Sequence, residues 1–196
     1  AATKCNWVAK YEPEVWEKTE KLVMLSTYLH YRLTGELMDA TTAQVGHVPF
    51  DYKNSSWQGD HTVTSCIFEA KKDKMCQKLF KPCELMARIN TEIAGLTGLK
   101  EGLPIIASGA DKACETLAVG CEGNDVAAIS LGTAATIEIT TDKYIEPMPY
   151  LPAYPSIYYG KYIPEVLIFR GYWMISWFKN QFGQIEIDEA EKQGTI

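Results

Sequence analysis

Long hydrophobic runs are missing from this sequence. Although 46% of its 196 residues are hydrophobic, no apolar stretch approaches the roughly 20 residues that span a bilayer, and no secretory leader is expected. Histidine is scarce, with only His30, His47 and His61, and no zinc spacing can be assembled from these and the cysteines. The cysteines, at 5, 66, 76, 83, 114 and 121, contain no C-x-x-C pair. Three sit inside apolar patterns, so reduced, mostly buried thiols are expected rather than a disulfide framework, and with them a cytoplasmic location. Positive charge is in short supply too: 19 Lys and Arg stand against 25 Asp and Glu, a formal net charge of −6. That balance argues against nucleic acid or an anionic membrane as partner. It leaves room for a local phosphate site, which needs only a few aimed N–H groups. There is no G-x-S-x-G elbow of the serine hydrolases, and no internal repeat.

What is present is an ordinary globular composition, long enough for one large domain or parts of two. Glu12-Pro13-Glu14 suits the start of a helix, with Val15, Thr19, Leu22 and Val23 at helical spacing. Ser26 to Leu33 predicts a second helix, stopped by Gly35. Residues 39–57 read as short extended segments and turns. Ile67 to Leu79 predicts an amphipathic helix whose solvated face carries Lys71, Lys72, Lys74 and Lys78. Thr91 to Leu99 predicts another, ended by Gly98 and Gly102.

Two segments carry candidate chemistry. Leu103 to Ala107 is a short apolar strand, Ser108-Gly109-Ala110 a turn of small residues, and Asp111 opens a helix with Cys114, Leu117, Ala118 and Cys121 on one face. A carboxylate at a strand end beside small residues is open to a substrate. Local sequence alone favours a cap of the helix, and the two roles are compatible. Further on, Val126 to Leu131 and Ala135 to Thr141 flank Gly132-Thr133-Ala134 as a hairpin. Such a loop can aim backbone N–H groups at phosphate oxygens, or be an ordinary turn. A loop rich in proline and tyrosine follows from Pro147 to Tyr162, then a strand over 166–169, Gly171, and an aromatic helix over 172–182.

The combination resembles the FGGY carbohydrate kinases at their domain junction. In that family the turn reads G-G-D-Q or a close variant and the later strand S-L-G-T-S. Here the residues are Ser108-Gly109-Ala110-Asp111-Lys112 and Ser130-Leu131-Gly132-Thr133-Ala134. The segment from Lys4 to Glu14 is similar to the family's Lys, two residues, Trp, aliphatic, then E-P-E. Tyr28 to Glu36 is similar to its Y-L-x-x-R-L-T-G-E, and Asp39 to Ala43, Phe50-Asp51 and Trp57 follow in order.

The resemblance implies an α/β fold of the actin-like ATPase (ribonuclease H-like) kind, present in part. Residues 1–122 would be the C-terminal part of the sugar-binding N-terminal domain, and residues 123–196 the start of the nucleotide-binding C-terminal domain. The implied activity is phosphorylation of a sugar or polyol hydroxyl by ATP with Mg²⁺. Asp111 falls on the family's catalytic base, and Lys112 on a substrate contact that is often Gln. Gly132, Thr133 and Ala134 fall on a phosphate-binding loop, with Ala134 where Ser or Gly is common, and Gly171 falls near the nucleotide; no metal ligand is assigned. The family's D-x-G-T-T loop is not found, and both chain ends read like cuts through something longer, so the 196 residues alone are expected to be inactive. A non-catalytic sugar- or nucleotide-binding remnant is the alternative that Lys112 and Ala134 favour. Another actin-like ATPase, a chaperone or acetate-kinase relative, is the third reading. Strands after Val126 are expected to leave an unpaired sheet edge for a partner chain or a second copy to cover.

Overall fold

Turn-forming residues interrupt every long pattern, so the elements are short. The computed structural model describes residues 2–46, 48–59 and 62–195; His47 and His61 lie outside the described residues. Helix α1 (Ala2–Tyr11) is followed by α2 (Pro13–Lys18), with Pro13 at its first turn as expected. The helical spacing beyond Lys18 is not realised. Thr19 is extended, and Leu22 instead donates its N–H to the Lys74 carbonyl at 2.7 Å. Helix α3 (Leu25–Thr34) ends on Gly35.

Strand β1 (Met38–Ala40) leads into a 3-10 turn over Thr41–Ala43, and β2 (Phe50–Asp51) pairs with β3 (Ser56–Trp57). Then come α4 (Val63–Ile67), β4 (Lys78–Phe80), β5 (Leu85–Arg88), α5 (Thr91–Thr97), β6 (Pro104–Ile106) and α6 (Asp111–Ala118). β1 pairs parallel with β4, and β5 antiparallel with β6. Met38, Ala40, Met86 and Ala107 form one core cluster; Val48, Phe50, Tyr52 and Met75 form another.

The helix expected over Ile67 to Leu79 does not form. α4 stops at Ile67, residues Lys72–Lys74 make a 3-10 turn, and β4 starts at Lys78. The adjacent side chains Met75 and Cys76 are both buried, and the Cys76 carbonyl accepts the Trp57 indole N–H at 2.7 Å. The indole bond to that carbonyl and the pairing of Lys78–Phe80 with β1 take up backbone groups that a helix would use, so tertiary contacts override the lysine spacing. The face expected for α6 is also rotated. Ala113 and Thr116 are buried, whereas Leu117 is 40% exposed. The small residues let the helix approach closely, and Thr116 returns its hydroxyl to the Ala113 carbonyl at 3.0 Å. Among the cysteines, Cys76 and Cys121 are buried but Cys66 and Cys83 are exposed, and all are free.

The remaining strands are β7 (Ala127–Leu131), β8 (Ala135–Ile139), β9 (Tyr154–Pro155), β10 (Tyr162–Ile163) and β11 (Glu165–Ile168), followed by α7 (Met174–Phe182) and α8 (Gln184–Lys192). β11, β8 and β7 form an antiparallel sheet in that order, so β7 is an edge among the described residues, as expected. Because strand side chains alternate between faces, Ile129, Ile137 and Val166 line up on one side and Ala128, Glu138 and Glu165 on the other. The apolar row is the exposed one, while Glu138 and Thr136 are buried. Among the described residues no helix is long and apolar enough to cross a membrane.

Candidate active site

The chain leaves β6 at Ile106 and turns into α6 through residues 107–110. Ala110 occupies the capping position and no side chain caps the helix. Asp111 is the first helical residue, and among the described residues its exposed carboxylate takes only the N–H of Lys112, at 2.8 Å. It is therefore not the cap that sequence allowed, and an acceptor oxygen stays open to the outside.

The turn before it is tightly held. The Thr42 hydroxyl donates to the Ser108 carbonyl, and the Ala110 N–H donates to the Thr42 carbonyl at 3.1 Å. Gly109 fills the gap between: a Cβ there would lie 2.6 Å from Ile157 Cδ1 and 3.2 Å from Thr42 Cβ. Behind Thr42, the buried Asp39 carboxylate accepts from Ser26 Oγ (2.7 Å), Thr27 Oγ1 (2.6 Å), Gln44 Nε2 (3.1 Å) and the Ala40 N–H (2.8 Å). A buried carboxylate with that many donors is satisfied and rigid.

Asp111 borders a niche of about 60 Å³ with Thr42, Lys112, Tyr154, Ile163 and Glu165 among its walls. Drug-sized ligands fill roughly 300–1,000 Å³, so this niche takes one end of a molecule. A groove of about 760 Å³ lies between Phe50, Tyr52, Tyr144 and Tyr150, but Asp111 is not part of it. The smaller space is the one that Asp111 borders.

Charge gathers beside the niche. The Lys112 ammonium is 2.8 Å from Glu115 Oε2 and 3.9 Å from Glu138 Oε1. Its hydrogen bond to Glu115, with the charges of Glu138 and Glu165, raises its pKa above the usual lysine value. Burial pushes the Glu138 carboxyl up, and the charge of Glu165 opposite it adds to this; the Thr136 hydroxyl, 2.9 Å away, and Lys112 partly oppose. Burial likewise raises Glu165, with Lys112 opposing and Asp111 adding to the rise.

The second candidate segment is a hairpin of Gly132, Thr133 and Ala134 between β7 and β8. Gly132 and Thr133 are exposed, and the Gly132 N–H donates to the Ala134 carbonyl at 2.9 Å. The structure brings Gly171 to it. The Tyr172 N–H donates to the Gly132 carbonyl at 3.3 Å, and a Cβ on Gly171 would lie 2.6 Å from the Ala135 nitrogen. At about 3.4 Å per residue, Glu138 beside Lys112 and Ala135 beside the hairpin are roughly 10 Å apart along β8. Tyr154 comes to the niche from the proline- and tyrosine-rich loop, for which the sequence allows either a place at a cleft or plain loop packing. Thr42, Glu138 and Glu165 escaped the sequence reading, and nothing local marks them, since each belongs to the site only through pairing across the fold.

The profile of the FGGY family of carbohydrate kinases, N-terminal domain, matches residues 1–118. An uncharacterized sugar kinase of Escherichia coli is 30% identical over 175 residues, 86% of this chain and 34% of that protein. A xylulose kinase of Bacillus subtilis is 25% identical over 195 residues, 97% of this chain and 38% of that protein. Among solved structures, the xylulose kinase of Rhodospirillum rubrum superposes with a TM-score of 0.79 at 20% identity, over 98% of this chain and 38% of that one. The chain thus spans somewhat over a third of the length of the curated relatives it matches. Its architecture is part of the actin-like ATPase fold that such kinases share.

Proposed function

This chain belongs to the FGGY family of carbohydrate kinases, and on that premise we propose that it works within an enzyme transferring the γ-phosphoryl group of ATP to a sugar or polyol hydroxyl. The observation that carries this reading is the open Asp111 carboxylate, on a turn fixed by Thr42 and Gly109, at the wall of a niche. Phosphoryl transfer is mostly positioning and charge stabilisation, with a base that takes the proton of the attacking hydroxyl. Asp111 is that base: its free oxygen aims the hydroxyl and accepts its proton as the new P–O bond forms and the bond from the γ-phosphorus to the departing ADP breaks. The niche holds the hydroxyl-bearing end of the substrate.

Kinases of this family use ATP with a divalent metal. The exposed small-residue hairpin of Gly132, Thr133 and Ala134, backed by Gly171, fits phosphate oxygens, because no bulky side chain blocks the approach to its backbone. The metal, when bound, neutralises charge on the transferring group. No group of three or more His, Cys, Asp or Glu suited to it occurs among the described residues, so no ligand is assigned. In this reading residues 1–122 contribute to the sugar side and residues 123–196 to the nucleotide side, and the enzyme is cytoplasmic. The 196 residues by themselves are inactive, since they carry only part of the clamp on the nucleotide.

The test is an assay of the complete gene product, its native mass established first, against a panel of sugars and polyols with ATP and Mg²⁺. Sugar-dependent ADP release, lost in Asp111→Asn, supports the assignment. ATP turnover indifferent to every sugar defeats it in favour of another ATPase, and sugar binding without transfer makes the chain a binding remnant.

A further inference from the structure

A lysine in the first turn of a helix is badly placed, because the helix dipole puts partial positive charge there. Lys112 is such a residue, the second of α6, immediately after Asp111. Nearby carboxylates compensate, one of them on the helix and others outside it. The ammonium meets Glu115 at 2.8 Å on its own helix and Glu138 at 3.9 Å on β8, and Glu165 of β11 stands directly across from Glu138 in the strand register. Asp111 completes the charged groups facing this cluster. Glu138 has a side chain only 3% exposed, and among the described residues its partners are Lys112 and one hydroxyl, that of Thr136 at 2.9 Å. Two half-buried or buried carboxylates opposite each other on neighbouring strands repel, and Lys112 is the cation whose charge opposes the rise of both pKa values.

We infer that Lys112 is a positioning residue whose ammonium ties the first turn of α6, and with it Asp111, to Glu138 of the sheet that ends in the Gly132–Ala134 hairpin. Its charge is already engaged by carboxylates of this chain, so it is not the side chain that recognises the sugar, and it does not select an acidic substrate. The raised pKa values of Glu138 and Glu165 agree with a site where one cation serves more than one desolvated carboxylate. The inference rests on the kinase reading for its kinetic consequence, but the tie itself does not.

The experiment is a double-mutant cycle in the complete gene product with Lys112→Gln, Glu138→Gln and both together, read by sugar KM, kcat and Tm. For a positioning tie, Lys112→Gln lowers kcat about tenfold, leaves sugar KM within about twofold, and lowers Tm. Adding Glu138→Gln removes the stranded carboxylate and recovers most of the Tm loss, while kcat stays low because the tie is still gone. A sugar contact gives the opposite pattern: KM rises, kcat holds, and Glu138→Gln rescues nothing, which overturns the proposal. If Lys112→Gln does not fold, a soluble double variant is itself the rescue, and an insoluble one sinks the idea. If no sugar is phosphorylated at all, the kinase reading fails separately, and Tm still decides: additive shifts refute the tie, and recovery upholds it.

Discussion

The turn that carries Asp111 and the hairpin that carries Thr133 are built in opposite ways. The first is gripped on both sides by Thr42, wedged by Gly109 against Ile157, and backed by the fully bonded Asp39. The second projects into solvent, tied by one short backbone bond of its own and leaning on Gly171. A base must hold a single oxygen in line with a reacting hydroxyl, and a misplacement of about 1 Å can cost on the order of 10²-fold in rate. A phosphate loop offers several N–H groups, and the anion itself can complete its order.

The contrast can be pushed until it breaks. The largest effect belongs to Asp111→Asn in the complete gene product: sugar phosphorylation falls by roughly 10²–10⁴-fold, while Tm stays within a degree or two because the side chain is exposed. Next is Gly171→Ala. Its new methyl group meets the Ala135 backbone, which cannot swing aside as a side chain can, so about 1–3 kcal/mol of stability is lost. Denaturant unfolding measures this, and ATP KM should rise more than sugar KM. Thr42→Val is a milder blow to the gripped side. It removes the hydroxyl that holds Ser108, costs about 1 kcal/mol, and lowers kcat several-fold with Thr42→Ser restoring it. An unchanged kcat in Thr42→Val would mean that the turn is rigid without its clamp.

The smallest effect is a pH dependence on the sheet side. Glu138 has its folded pKa raised, so it favours the fold while protonated. That contribution is complete below the ordinary carboxylate pKa of about 4.3 and fades as pH rises through the raised value. Glu138→Gln should therefore match the parent in Tm near pH 4 and gain on it towards pH 7, where the parent carries a desolvated charge. A gap that instead widens as pH falls would contradict the sign.

Local chemistry made part of this visible beforehand. Pro13, Gly35 and Gly98 mark helix ends whose geometry needs no tertiary help, and the alternation from Ala127 to Ile139 shows a hairpin. The family motifs led to the fold. What stayed hidden depends on partners distant in sequence. β5, with Leu85, Met86, Ala87 and Arg88, lacks β-branched residues and is a strand because β6 pairs with it. The segment around Met75 and Cys76 follows burial rather than its lysine spacing. Glu138 sits among isoleucines in a strand whose exposed row is the apolar one, so the usual rule for which face turns inward points the wrong way. Thr42 lies 66 residues before Ser108, and no local pattern links a hydroxyl to a carbonyl that far away.

Ile157 against Gly109 has a bearing on how this protein could be recombined with its relatives. The tyrosine- and proline-rich loop looks like a surface insertion free to vary in length, yet it delivers Ile157 to the turn before Asp111 and Tyr154 to the niche wall. Its register is anchored at the far end, where the Thr141 and Tyr162 backbones exchange hydrogen bonds at 2.9 Å. A chimera that took the catalytic turn from one parent and this loop from another would pair a wedge with the wrong slot. The better crossover lies outside residues 42–162, so that Thr42, the turn and the loop that wedges it come from one parent.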